Sequence, residues 1–283
     1  MLDCPGMAVL VRRAAGRDDY DACVRLQREV WGLSDLEITS AIQLIATVHA
    51  GGLLLVAESP GEGVVGFSYA FGALSGGEAH LHSDMLAVVP KARGLGVGLR
   101  LKWAQRDEAR RRGLRLVTWT FDPLRSGNAR LNLHRLGAVA SELLPDFYGT
   151  TSSALHHGLA TDRLLARWEV DGPRVARRAA GALPPPPPAA TPAVNEVTLR
   201  GGVPVSSPPR LEIDAPVLLL EIPEDWDAVC RADPSLARQW QLVVRRALET
   251  LFARGYTAVD CVSGRDGGRP RALYVLQKGP LEA

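Results

Sequence analysis

The chain has 283 residues, 46% of them hydrophobic and 23% charged, which supports one large domain or two ordinary ones and excludes wholesale disorder. Its net charge of +2, from 33 basic and 31 acidic residues, is too small to argue for a nucleic-acid partner. No apolar run approaches the ~20 residues of a membrane helix, and Met1-Leu-Asp-Cys-Pro-Gly lacks the basic and apolar stretches of a secretory signal, so a cytoplasmic protein with no membrane partner is expected.

In chain order, Ala8 to Arg12 reads as a strand. Asp18 to Trp31 reads as a helix with aspartates in its first turn and Gly32 as its stop. Thr39 to His49 predicts a second helix carrying Ile42, Ile45 and Val48 on one side. Leu53 to Glu58 and Val64 to Phe71 read as strands joined at Pro60-Gly-Glu-Gly63, a hairpin signal. His80 to Val89 is a long strand ending at Pro90, and Gly94 to Arg112 a helix stopped by Gly113. Leu116 to Phe121 is another strand, and Asn128 to Leu136 a short helix before Gly137. Ala138 to Tyr148 and Arg163 to Val170 read as closing strands, which completes an α/β domain with a mixed sheet over residues 1–171.

Residues 172–209 hold the run Pro184 to Pro188 and read as a polyproline linker, because proline fixes φ and removes a backbone donor. Residues 210–283 predict a small α/β extension. Val217 to Ile222 is a strand, and Asp233-Pro234 opens a helix at the N-cap and first helical position. Leu236, Trp240, Val243, Ala247 and Leu251 repeat along that helix up to Gly255. Tyr256 to Val262 and Ala272 to Gln277 are two more strands. About 75 residues hold only a marginal core, so this segment should pack on the first domain or on a second copy of the chain, as a homodimer.

The chemistry concentrates in Leu86-Ala-Val-Val-Pro-Lys-Ala-Arg93-Gly94-Leu95-Gly96-Val97-Gly98. Glycines so close together weaken a helix start by roughly 1 kcal/mol each relative to alanine. They make sense where a ligand must approach the backbone. The free amides of a first helical turn and its positive dipole end then hold a phosphate, and Arg93 adds a guanidinium. Absence of Gly-Lys-Ser/Thr excludes a P-loop. A plain glycine-rich helix start and a dinucleotide turn remain alternatives, although the spacing here is not Gly-x-Gly-x-x-Gly. Cys4, Cys23, Cys230 and Cys261 show no Cys-x-x-Cys or His at ligand spacing, so neither a disulfide framework nor a metal site is expected. Only Lys91, Lys102 and Lys278 are lysines, an arginine bias that a GC-rich bacterial genome produces unaided.

The stretch Val88-Val-Pro-Lys-Ala-Arg93-Gly-Leu-Gly96-Val-Gly98 resembles the acyl-CoA signature of the GNAT superfamily of N-acetyltransferases, and the surrounding element order over roughly residues 8 to 170 is similar too. The chain also looks similar to a bacterial group with a C-terminal extension and a Thr-Asp-Arg-Leu segment, here Thr161 to Leu164. The resemblance implies a GNAT-like, mostly antiparallel sheet flanked by helices. It implies acetyl-CoA as acyl donor, with its diphosphate on the amides of Arg93, Gly94, Leu95, Gly96, Val97 and Gly98. The pantetheine arm would pair with Leu86, Ala87 and Val88 and bond to Asn128, and Asn132 lies one helical turn beyond that residue. An amide of Leu86 or Ala87 would face the thioester carbonyl.

Direct transfer to a small-molecule or peptide amine needs a base, and strand periodicity puts His80, His82 and Asp84 on one face. Asp84 and His82 occupy the places where several family members carry a water-linked base; hydrogen bonding to each other or to backbone is the structural alternative. The tyrosine that many members use as proton donor falls at Leu133 here, which leaves Tyr148 as a substitute or as a packed aromatic. Asp35 and Glu37 lie where the family builds its acceptor pocket. Arg106, Arg110, Arg111, Arg112 and Arg115 are either a phosphate-binding cluster or a solvated helix face. A catalytically weak or inactive acyl-CoA-binding, sensor or assembly module is the competing expectation.

Overall fold

The computed structural model describes residues 8–149, 151–153 and 156–280, and the chain forms two compact units. The first takes residues up to Trp119 with the short pieces Thr151–Gly158 and Glu169–Gly172. It runs β1 (Leu10–Arg13), α1 (Arg17–Trp31), α2 (Ala41–His49), β2 (Leu53–Ser59), β3 (Gly63–Ser75), β4 (Glu78–Val88), α3 (Val97–Arg111) and the start of β5 (Leu116–Phe121). Strand order follows the chain, β1-β2-β3-β4-β5. The first three pairings are antiparallel and β4–β5 is parallel, which makes the sheet mixed but mostly antiparallel.

Local sequence accounts for most of these elements. Asp19 in the first turn of α1 accepts from the Ala15 amide and from the Arg12 guanidinium, and this pairing lowers its pKa. Gly32 closes that helix in a left-handed conformation, donating to the Arg28 carbonyl at 2.9 Å. Ser40 caps α2 through the Gln43 amide. The inward face of α2 is Ala41 and Leu44, whereas Ile42 and Ile45 are exposed. Sequence periodicity favours the Ile42, Ile45 and Val48 side, whereas the side that packs inward is the one carrying Ala41 and Leu44. Leu53 to Ala57 on β2 are all buried, each such leucine or valine contributing about 1.5–3 kcal/mol by leaving water.

The second unit comprises Thr120–Thr150, Leu159–Trp168 and Pro173–Ala283. It contains α4 (Ser126–Ala129), which runs on as a π-helix over Arg130–Arg135, then β6 (Val139–Leu144), β7 (Arg163–Glu169) and α5 (Pro173–Ala179). There follow β8 (Val197–Arg200), β9 (Val203–Ser206), β10 (Val217–Ile222), α6 (Trp226–Ala232), α7 (Pro234–Ala253), β11 (Tyr256–Asp266) and β12 (Arg269–Lys278). Strand order is β7-β6-β11-β12-β10, with β8–β9 a separate ribbon. Buried Trp240, Ala247 and Leu251 line the inner face of α7 as the sequence predicts, although Val244 replaces Val243.

Residues 172–209 depart from the expected linker. All of 173–283 falls in the second unit, so the proline tract does not run between the units. Pro173 opens α5, where a missing amide hydrogen costs nothing, and Pro204 sits in the two-stranded β8–β9 ribbon. Ala193 bridges Leu219, and buried Asn195 bonds both the amide and the carbonyl of Glu221 on β10. Regular structure is absent from the Pro184 to Pro188 run itself. The C-terminal segment joins strands that the sequence reading placed in the first domain: Ala258 on β11 pairs with Ala140 on β6.

Candidate active site

The turn between β4 and α3 leaves backbone nitrogens bare. Pro90–Ala92 form a 3-10 turn, then Gly94 and Gly96 both take φ of 77°, which L side chains rarely adopt. Gly96 is the N-cap of α3, and no side chain caps it. The amides of Val97 and Gly98 therefore open the helix without an intrahelical partner, in the field of its positive end. On β3, Gly66 allows the corner to sit close, since a Cβ there would stand 2.8 Å from the Ala87 carbonyl and 3.4 Å from Val97. Arg93 is exposed, and its Nε donates to the Val88 carbonyl at 3.2 Å, which holds the guanidinium beside the corner. Bare amides at a helix start with a guanidinium beside them are chemically suited to an anion of the phosphate class.

The strand leading into that corner has one open edge. On the β3 side, Leu86, Ala87 and Val88 pair with Ser68, Phe67 and Gly66. Among the described residues, the β4–β5 register covers Leu81↔Val117 and His82↔Thr118 alone. The Val89 amide donates to Val65 on β3, so strand alternation turns the Ala87 amide to β3 as well and those of Leu86 and Val88 to the open side. Of the two amides expected near a thioester, that of Leu86 faces the open side and that of Ala87 faces β3.

The polar residues of β4 are separated by an irregularity that the sequence does not reveal. The register shifts between Tyr69↔Met85 and Ala70↔Ser83, which makes Asp84 the extra residue of a β-bulge. Strict alternation, and with it the expected single face for His80, His82 and Asp84, is broken there. His80 is buried, with Nδ1 3.3 Å from the Glu78 carbonyl. His82 lies on the Phe71 ring at 5.3 Å, and its Nδ1 is 2.9 Å from Thr118 Oγ1, so its partner is not Asp84. Burial, with His80 and Lys102 nearby, lowers the His82 pKa below its usual 6.5 and leaves a neutral imidazole at neutral pH. Asp84 meets solvent but is crowded by the surrounding protein, and that desolvation raises its carboxyl pKa. Its charge also helps raise the pKa of Tyr69, though burial of the phenol is the larger cause. Tyr69 donates to Thr47 on α2.

Asn128, Asn132 and Tyr148 belong to the second unit. Asn128 is exposed on α4, whereas Asn132 is 4% exposed in the π-helical stretch. The helix passes from α to π between these two residues. Leu133 is fully buried. Tyr148 is half-exposed, with its hydroxyl 3.0 Å from Thr120 Oγ1 and its ring against Phe147 and Arg163.

Other candidates are engaged elsewhere. Asp35 pairs with Arg28, and Glu37 accepts from the Ser152 amide, which draws the loop between α1 and α2 onto residues 151–153. Arg106, Arg110, Arg111 and Arg112 hold the Val170 carbonyl, Asp171, Glu108 and the Gly51 carbonyl. Cys23, Cys230 and Cys261 are buried; burial pushes the first two thiols to about 12 and about 11 and raises the third, so none is a nucleophile at neutral pH. Cys4 lies outside the described residues. Sequence reading passed over Lys102, which is buried beneath β4. The signal was present: Leu101 and Ala109 mark the inner face of α3, and Lys102 and Gln105 fall on the same stripe.

Residues 19–138 match the model of the Acetyltransferase (GNAT) family. A search of curated proteins gave no match. Among solved structures, a Desulfovibrio desulfuricans protein assigned to the GNAT family is 21% identical, with 58% of this chain and 99% of that one covered at a TM-score of 0.47. A Salmonella typhimurium protein, solved with its cofactor acetyl-CoA, is 21% identical over 58% of this chain and 95% of its own, also at 0.47. The ribosomal-protein-S18-alanine N-acetyltransferase of Escherichia coli is 14% identical over 58% and 96%, at 0.46. Residues 19–138, which hold the glycine corner and the open edge of β4, are a domain of the GNAT superfamily of acetyltransferases.

Proposed function

We propose that the protein is an acyl-CoA-dependent N-acyltransferase that moves an acetyl group directly from acetyl-CoA to an amine of a small molecule or peptide. The observation that carries this reading is the uncapped start of α3 beside the open edge of β4. The amides of Val97 and Gly98, with Arg93, would bind the diphosphate, and the Leu86 and Val88 edge would pair with the pantetheine arm as an added strand. Asn128 and Asn132 are proposed to contact that arm.

His82 or Asp84 would take a proton from the acceptor ammonium, directly or through water, and so expose its lone pair. The nitrogen then attacks the thioester carbon while the Leu86 amide holds the developing oxyanion. Collapse breaks the C–S bond, the nitrogen releases its remaining excess proton to solvent to give the amide, and the departing thiolate takes up a proton, for which Tyr148 is the proposed donor. The alternative, an acyl-CoA-binding module without turnover, is favoured by one observation: apolar, buried Leu133 stands where many family members carry the proton-donating tyrosine. We also propose a cytoplasmic location and a homodimer through the C-terminal segment.

Acetyl-CoA should raise the thermal midpoint of the protein, and an amine panel should release free CoA thiol for at least one acceptor. Stabilisation without thiol release across the panel selects the binding module; no stabilisation removes both readings.

A further inference from the structure

The buried side of the Asp84 bulge holds a chain of polar groups for which acyl transfer has no direct use. Lys102 on α3 is 1% exposed. Its Nζ donates to Ser83 Oγ at 3.1 Å and to Gln105 Oε1 at 3.0 Å, and Gln105 Nε2 donates to Ser68 Oγ at 3.0 Å. Ser83, Gln105 and Ser68 are all buried. The two serines flank the irregularity, for Ser83 pairs with Ala70 on one side of it and Ser68 pairs with Leu86 on the other. Lys102 Nζ also sits 3.6 Å over the Trp119 ring on β5. One side chain therefore touches β4 and β5, the two strands whose divergence opens the edge.

Such a chain is expensive where leucine or methionine would pack. Burial drives the Lys102 amine well below its usual 10.5, and each polar group needs its partner to offset desolvation. A bulge is also where strand register is easily lost, because the ladder is interrupted there. We propose that Lys102 is a positioning residue: through Ser83 and Gln105 it pins the β3–β4 register on both sides of the bulge, and so fixes the direction of Asp84 and of the Leu86 edge. The catalytic consequence rests on the acyltransferase reading; the structural one does not.

Lys102→Met in the full-length protein keeps the length of the side chain and removes its donors. Hydrogen exchange over residues 80–88 should accelerate about tenfold or more, while exchange over 104–112 stays unchanged. With a reactive amine, kcat should fall about tenfold while the KM for acetyl-CoA stays within about twofold, because the glycine corner is untouched. Ser83→Ala, which leaves the lysine in place, should give a smaller version of both effects and serves if Lys102→Met does not fold. Unchanged exchange over 80–88 in both variants overturns the proposal, as does a fall in kcat matched by an equal rise in KM. Faster exchange in a protein whose wild type acylates no amine upholds the clamp and removes the acyltransferase reading instead.

Discussion

Helices α3 and α7 begin in opposite ways. α7 is finished by its own residues: Asp233 accepts from the amides of Ser235 and Leu236, and Pro234 removes a donor at the first helical position. α3 starts at a left-handed glycine with no side-chain cap. A capping aspartate stabilises a helix by about 1 kcal/mol, so α3 forgoes a gain that the same chain takes elsewhere. At α7 the chain supplies the anion to its helix itself. At α3, where amides stay bare and side chains are stripped away, the proposed function assigns the missing anion to a ligand.

The most direct way to break that contrast is to give α3 its own carboxylate. Gly96→Asp should weaken acetyl-CoA binding about 100-fold or more, measured by calorimetry, since aspartate tolerates the left-handed backbone but fills and charges the corner. Retained binding would place the ligand elsewhere. Next in size, Asp84→Asn should lower kcat about 100-fold at unchanged acetyl-CoA affinity. The same variant should raise the thermal midpoint at neutral pH. The folded-state pKa of Asp84 lies above its unfolded value, so the ionised carboxylate costs stability at neutral pH. That cost fades as pH falls through the raised value, and the midpoints of variant and wild type should converge there. Wild-type kcat should drop over the same range if this carboxylate is the base.

A smaller effect is expected at Arg93, where alanine should weaken acetyl-CoA about tenfold and leave kcat alone. Smallest is the control on the other helix. Asp233→Ala should cost about 1 kcal/mol in denaturant unfolding and leave acetyl-CoA affinity unchanged.

Both helix starts were legible in the sequence because each depends on local chemistry: Asp-Pro for a closed cap, spaced glycines after a strand for an open one. The faces of β4 were not legible. Alternation is a property of one strand, whereas the bulge at Asp84 is a mismatch between two, visible only in the pairing of Tyr69 with Met85 and Ala70 with Ser83. The same limit hid the π-helix itself, since nothing in Arg130 to Arg135 announces it. Lys102 was hidden by its type, because lysines are ordinarily solvated and it is partners on two strands, Ser83 of β4 and Trp119 of β5, that explain this one. Proline content overstated the irregularity of 172–209, where individual prolines fall at a helix start and on a ribbon edge.

The pairing of Ala140 with Ala258, and the bond from buried Tyr274 to the Pro123 carbonyl, bear on how this protein can be trimmed. A gene shortened at the proline run would take β11 from one side of β6 and bare the backbone groups that meet it at Ala140. That fragment should seek another strand to lean on, and precipitation is the usual result. An inserted tag does better at the exposed Gly267-Gly268 hairpin tip, beyond the last ladder pair Asp266↔Arg269.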